Sequence, residues 1–176
     1  QCKARWPEVI KERFFNTAFI IDPKGKVVHK YAKNHVFARE RSCMPHDVYD
    51  IWVKKFSDDI DAFYPVLKTD DVGNIGTMVC NDGMYPEAGR ALAFNGAEVI
   101  YRPSMAQPMT GNGLWELQNR AHAMFNNCYV IAPNIGPYYL HPGFEFPFDV
   151  AGGNAHIVDY QGNLISYSAS GTDTVI

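Results

Sequence analysis

"NIGTMVCNDGMYPEAGRALAFNGAEVI" spans residues 74–100 and decides the fold. It reads as an apolar strand that stops at Cys80, a tight polar turn, and a helix that opens at Pro86. Pro86 and Glu87 suit a first helical turn: proline leaves no N–H unpaired there, and a carboxylate meets the positive end of the helix dipole. Gly96 suits the C-terminal stop. "AEVIYRPS" returns as an apolar strand, so 75–101 make a β-α-β unit. A cysteine where a strand hands over to a helix stands where open α/β sheets bind ligands. The helix's free N–H groups there can favour a thiolate. Burial as a small hydrophobe is an equally good account of Cys80 at this point.

Around that unit the pattern continues in kind. "LWELQNRAHAMFNN" (114–127) reads as a longer helix feeding the strand "CYVIAPN", and "FYPVLKT" as a strand before the turn "DDVGN". "TAFIID", "PKGK" and "VVHKYAK" form a β-hairpin, and "GGNAHIVDYQGNLISYS" a second one. "PEVIKERF" (7–14) has helix-start chemistry. Residues 38–62 are polar and poorly periodic, and read as a long surface loop with one helical turn. Alternating strands and helices in 176 residues point to one α/β layered domain over 1–176.

Composition excludes several classes. A net charge of −3 and a pI near 6.1 argue against nucleic acid as partner. No run approaches the roughly 18 apolar residues of a membrane span, and no signal peptide opens the chain. Cys2, Cys43, Cys80 and Cys128 are too sparse for a disulfide framework, which favours a reduced, cytoplasmic protein. Metal-ligand spacings are absent, so neither a metal nor a cofactor is expected. Gln1 is not a start methionine and "TDTVI" stops in mid-element, so the chain reads as truncated at both ends.

Cys80 needs helpers. Six histidines, at 29, 35, 46, 122, 141 and 156, are candidate bases, and spacing singles out none. "CNDGMYPEAGRALAFNGAEVI" resembles the cysteine motif of the nitrilase superfamily, the carbon–nitrogen hydrolases, and is similar in wording to its aliphatic amidase and N-carbamoyl hydrolase branches. "VVHKYAKNHVF" resembles the family's lysine motif, 47 residues upstream (80 − 33). "ELQNRAHAMFNNCYVIAPNIGP" and the closing hairpin are similar to its later blocks.

That resemblance implies a four-layer α-β-β-α sandwich, incomplete in this chain and with apolar faces uncovered. It also implies hydrolysis of non-peptide C–N bonds in a small amide or N-carbamoyl substrate. Cys80 would be the nucleophile passing through a thioester, with Lys33 and the backbone N–H of Asn81 holding the oxyanion. Glu40 would position substrate, while Asp82, Glu87 and Arg90 would be structural near the site. Asn126, Asn127 and Asn134 would satisfy backbone groups near the pocket. A homodimer or larger homo-oligomer, paired through "LWELQNRAHAMF", is implied as well. The family's glutamate base comes from further upstream than Glu8 or Glu12, which precede Lys33 by only 25 and 21 residues (33 − 8, 33 − 12). The stretch alone would then be inactive. Nitrile hydrolysis, a non-catalytic nitrilase-like binding or scaffold domain, and a histidine-assisted cysteine hydrolase of another fold are the alternatives.

Overall fold

The computed structural model describes residues 13–106, 112–147, 149–150 and 152–168. Strands β1 (Thr17–Ile21) and β2 (Val27–Ala32) form the expected antiparallel hairpin. Asp22 closes its turn, accepting the backbone N–H groups of Lys24 and Lys26 at 2.9 Å each. Gly25 takes φ 78° beside it, a conformation glycine adopts without strain. The second hairpin, β9 (His156–Val158) with β10 (Leu164–Tyr167), repeats this chemistry. There Asp159 accepts from Gln161 and Asn163 at 2.9 and 2.8 Å, and Gly162 has φ 85°.

The segment 38–62 is more ordered than a loop. It holds a 3-10 turn (Pro45–Val48) and the helices α1 (Tyr49–Lys55) and α2 (Ile60–Phe63). The reason is a set of aromatics hidden among the charges. Trp52 packs tilted against Phe56 with ring centroids 4.5 Å apart, donates its indole N–H to the carbonyl of Ala62 at 3.1 Å, and packs with Phe63 and Ala32 in a small core. The helix expected over 7–14 falls almost wholly outside the described residues.

The main sheet has six strands in the order β10-β9-β6-β5-β4-β3, with β3 at Val66–Leu67, β4 at Ile75–Thr77, β5 at Val99–Tyr101 and β6 at Tyr129–Ala132. The pairs β4–β5 and β5–β6 are parallel, and the other three are antiparallel. Helices α3 (Pro86–Phe94) and α4 (Leu114–Asn126) make the crossovers as expected. A short ladder of β7 (Pro137–Tyr138) with β8 (Asp149–Val150) was not legible in the sequence.

Leu92, Trp115 and Ala123 of the helices bury Ile100, Val130 and Val158 of the sheet in the main core. The result is an α/β sandwich. On the opposite face of β6, Tyr129 and Ile131 alternate with the buried positions and stay partly open to solvent, and Ile165 and Tyr167 of β10 are exposed. Among the described residues no helix is long and apolar enough to cross a membrane.

Helices α3 and α4 approach closely at Gly89. A Cβ there would lie 2.3 Å from Nδ1 of His122, whose ring is held in place by a hydrogen bond to Gly83. Gly89→Ala is therefore expected to destabilise by about 1–3 kcal/mol through overpacking, outweighing alanine's better helix propensity; urea unfolding measures the loss.

His29 of β2 is 1% exposed, and neither ring nitrogen has a hydrogen-bond partner. Burial lowers its pKa to about 4, so it folds as the neutral ring. The unfolded chain binds a proton near pH 6.5 that the folded chain refuses until about pH 4. Stability contributed above pH 6.5 is thus lost as pH falls through that window. The loss amounts to about 3 kcal/mol for a shift of this size. His29→Leu should leave the fold intact at pH 7 and flatten the decline between pH 6.5 and 4, read from urea midpoints across that range.

Candidate active site

Cys80 lies beyond the C-terminal edge of the parallel strands, as expected, but strand β4 ends three residues earlier, at Thr77. The cysteine instead opens a 3-10 turn, Cys80–Met84, and α3 begins only at Pro86. Cys80 is half-buried with φ 48°, a left-handed conformation unusual for a residue with a Cβ. Its amide donates to the carbonyl of Pro103 at 3.0 Å, fastening the turn to the segment after β5.

Asp82 organises the turn. It is fully buried, and its carboxylate accepts the N–H of Val79 and of His35 at 2.7 Å each, the hydroxyl of Tyr31 at 2.9 Å, and Nδ1–H of His35 at 3.2 Å. The bond to Val79 closes the turn locally, from three residues upstream. The other three reach across to β2 and the residues after it. Burial first, and then the charge of Asp82, hold the Tyr31 pKa well above its usual value, so the hydroxyl stays a donor. His35 stacks on Tyr85 at 4.2 Å, and its carbonyl accepts from the Asn81 side chain at 3.1 Å.

Lys33 follows directly on β2 and is 1% exposed. Its ammonium is paired with Glu40, which also accepts from Asn16 Nδ2 at 3.0 Å. Burial pushes the Glu40 carboxyl up, but Lys33 and Asn16 outweigh it and hold the group below the usual carboxylate range. The loop glutamate singled out from the sequence is therefore the counter-charge of the buried lysine. A buried cation persists only with such a partner.

Two further side chains grip the turn from beneath, and the sequence did not single them out. Arg102, fully buried, donates Nε and Nη2 to the carbonyl of Cys80 at 3.2 and 2.9 Å. His122 donates Nε2–H to the carbonyl of Gly83 at 2.9 Å. A Cβ on Gly83 would come within 2.1 Å of the Arg102 guanidinium, which explains the glycine in "CNDG". Burial lowers the Arg102 pKa to about 10, opposed by Cys80 and Asp82, so the group is cationic at neutral pH. The signal available in the sequence was a lone arginine ending the apolar run "EVIY", at the strand edge where Cys80 already lay.

Glu87 and Arg90 are exposed on α3, Arg90 over the ring of Phe94 at 5.9 Å. The hydrogen bonds that hold the cysteine turn come from other residues. Asn134 bridges the N–H of Ala106 and the carbonyl of Gly153 at 2.8 and 2.7 Å, Asn126 donates to His122, and Asn127 ends α4 at φ 52°. Cys128 is buried, and burial raises its pKa to about 11. Cys43, Cys80 and Cys128 are free thiols. His46 stacks on Phe63, His141 accepts from Gly143, and His156 meets Asn119. Among the described residues no cluster of three or more histidines, cysteines or carboxylates could hold a metal ion.

Known proteins resemble this chain along most of its length. The family model described as carbon-nitrogen hydrolase matches residues 4–176. The deaminated glutathione amidase of Synechocystis sp. is 30% identical over 152 residues, which are 86% of this chain and 52% of that protein. The probable hydrolase nit2 of Schizosaccharomyces pombe is 30% identical over 163 residues, 91% of this chain and 54% of its own. Nit3 of Saccharomyces cerevisiae, described as a member of branch 10 of the nitrilase superfamily, shares the fold with a TM-score of 0.66 at 23% identity, over 90% of this chain and 51% of that one. The chain spans about half the length of the curated relatives it matches. The match along nearly the whole sequence leads to one conclusion: the chain belongs to the carbon–nitrogen hydrolase family.

Proposed function

We propose that the protein hydrolyses the C–N bond of a small amide or N-carbamoyl substrate, with Cys80 as nucleophile. The observation that carries this reading is the convergence on Asp82. One buried carboxylate binds both the cysteine turn and the segment after β2 that bears Lys33. The Cys80 thiolate attacks the amide carbon and a C–S bond forms. The tetrahedral oxyanion is held by the Lys33 ammonium and the backbone N–H of Asn81. Its collapse breaks the C–N bond, and the nitrogen takes a proton and leaves as ammonia or an amine. Water then cleaves the thioester, releasing the acid and restoring the thiol.

Glu40 pairs with Lys33 and holds it in place, and from its partly exposed position it can orient a substrate amide. The general base is assigned to a glutamate upstream of Lys33 in the whole protein, on the family resemblance. Amide chemistry is favoured over nitrile chemistry by the Cys80–Glu87 wording and by the relative named as an amidase. The free thiols suit a reduced, cytoplasmic setting. Leu117 and Phe125 of α4, 64% and 62% exposed, offer an apolar face through which two copies would pair.

Ammonia release from short amides and carbamoyl amino acids by the full-length protein tests the reaction. Cys80→Ala should reduce it to background, and activity surviving that change would sink the proposal. Lys33→Ala should lower kcat by about 10²–10³-fold, as for loss of an oxyanion donor, while the folded signal in circular dichroism persists. Turnover unaffected by that substitution would remove Lys33 from the mechanism.

A further inference from the structure

The carbonyl that Arg102 grips and the N–H proposed to hold the oxyanion belong to one peptide group, the Cys80–Asn81 unit. The two terminal nitrogens of Arg102 hold side-chain acceptors as well. Nη1 donates to Asn119 Oδ1 at 2.7 Å, and Nη2 also donates to Gln118 Oε1 at 2.9 Å. The guanidinium lies 4.5 Å over the Trp115 ring. Asn119 is fixed in turn, donating to the Trp115 carbonyl at 3.0 Å and meeting His156 Nε2 at 2.9 Å, while His156 Nδ1 meets the carbonyl of Asn154 at 2.9 Å. That pattern makes Nδ1 the protonated nitrogen and leaves Nε2 to accept. Burial lowers the His156 pKa, in keeping with the neutral ring.

A chain of fully buried groups thus runs from β9 through α4 to one carbonyl oxygen. Such a network is far more than is needed to fill space, and it ends on the backbone of the strained residue. A backbone conformation of this kind is strained and persists only where its surroundings over-determine it.

We infer that Arg102 is a positioning residue for the oxyanion, acting through the Cys80–Asn81 peptide. Two effects follow from the geometry, both resting on the proposed hydrolysis. The forked bond fixes the peptide plane, so the Asn81 N–H points away from Arg102. A cation on the carbonyl also polarises the amide, and hydrogen bonds in series strengthen one another at low dielectric. The Asn81 N–H becomes a better donor as negative charge develops on the substrate oxygen. A reaction at the same thiol that builds no oxyanion gains nothing from the Asn81 N–H, and feels Arg102 only through its charge beside Cys80.

That difference supplies the test, which uses the full chain and two reagents aimed at Cys80. Iodoacetamide alkylates sulfur by displacement of iodide, without a tetrahedral oxyanion. p-Nitrophenyl acetate acylates it: the C–S bond forms, the ester C–O bond breaks, nitrophenolate leaves with the electron pair, and the thiol proton goes to solvent. In Arg102→Met the acylation rate at Cys80 should fall about tenfold or more, in the range of a weakened oxyanion donor. Alkylation should change less than about threefold, the spread left by small shifts in packing. Arg102→Lys should recover part of the acylation.

Equal losses in both reactions would mean a merely structural role and overturn the inference, as would acylation indifferent to Arg102. Should Arg102→Met fail to fold, Gln118→Met decides at a half-buried helix position. It should slow acylation at least about twofold with alkylation unchanged, since it frees one donor of the fork, and equal rates there overturn the inference too. A wild-type chain that is alkylated but never acylated at Cys80 would sink the hydrolase reading and this one together. Acylation without Arg102 dependence sinks this one alone.

Discussion

A carboxylate without solvent is a demanding neighbour, and Asp82 meets that demand with donors from two parts of the chain. With no exposed surface, it must receive a hydrogen bond at every lone-pair direction or carry a large desolvation cost. Val79 supplies one from the turn itself, and Tyr31 and His35 supply the rest from the opposite side. The β1–β2 hairpin is therefore tied to the six-stranded sheet at the place where Cys80 and Lys33 emerge. Loosening either partner would expose or strand a buried charge, so the relative placement of the two residues is protected by electrostatics rather than by apolar packing alone.

The second constraint is crowding beneath the turn. Arg102 and His122 occupy the space that side chains at Gly83 and Gly89 would need. The spacing "CNDGMYPEAGR" is in this sense a record of what lies under it. Each small residue marks a long buried one arriving from another element, and each buried one delivers an N–H to a backbone carbonyl of the turn. The strained φ of Cys80 is held by fixed bonds on both of its flanking peptides.

Much of this was legible in the sequence wherever the signal was local. The Asp-x-x-Gly turns, the proline at the start of α3 and the alternation of strand and helix fixed the elements around Cys80, and the lysine motif pointed to Lys33. Residues 38–62 read as a surface loop because their charges outnumber the aromatics, although Trp52 and Phe56 pack there with Phe63. Glu40 was noticed without its partner, since a charge seven residues from a lysine says nothing about whether the chain folds back. The contacts of Arg102, His35 and Asn119 are illegible for the same reason at longer range. Their contacts join residues from different elements, and one sequence carries no trace of such pairings.

The range of those contacts bears on how the protein comes to be assembled. Both hairpins close through neighbours two to four residues apart and can form as soon as they are made. The bonds to Asp82 from Tyr31 and His35 span 51 and 47 residues, and such closures come late because loop entropy must be overcome first. The chain thus reaches its secondary structure well before the cysteine turn is locked against the hairpin. In a nascent or partly opened molecule the ties from Asp82 to Tyr31 and His35 would be missing, and the turn would be fixed only with the final docking of the hairpin.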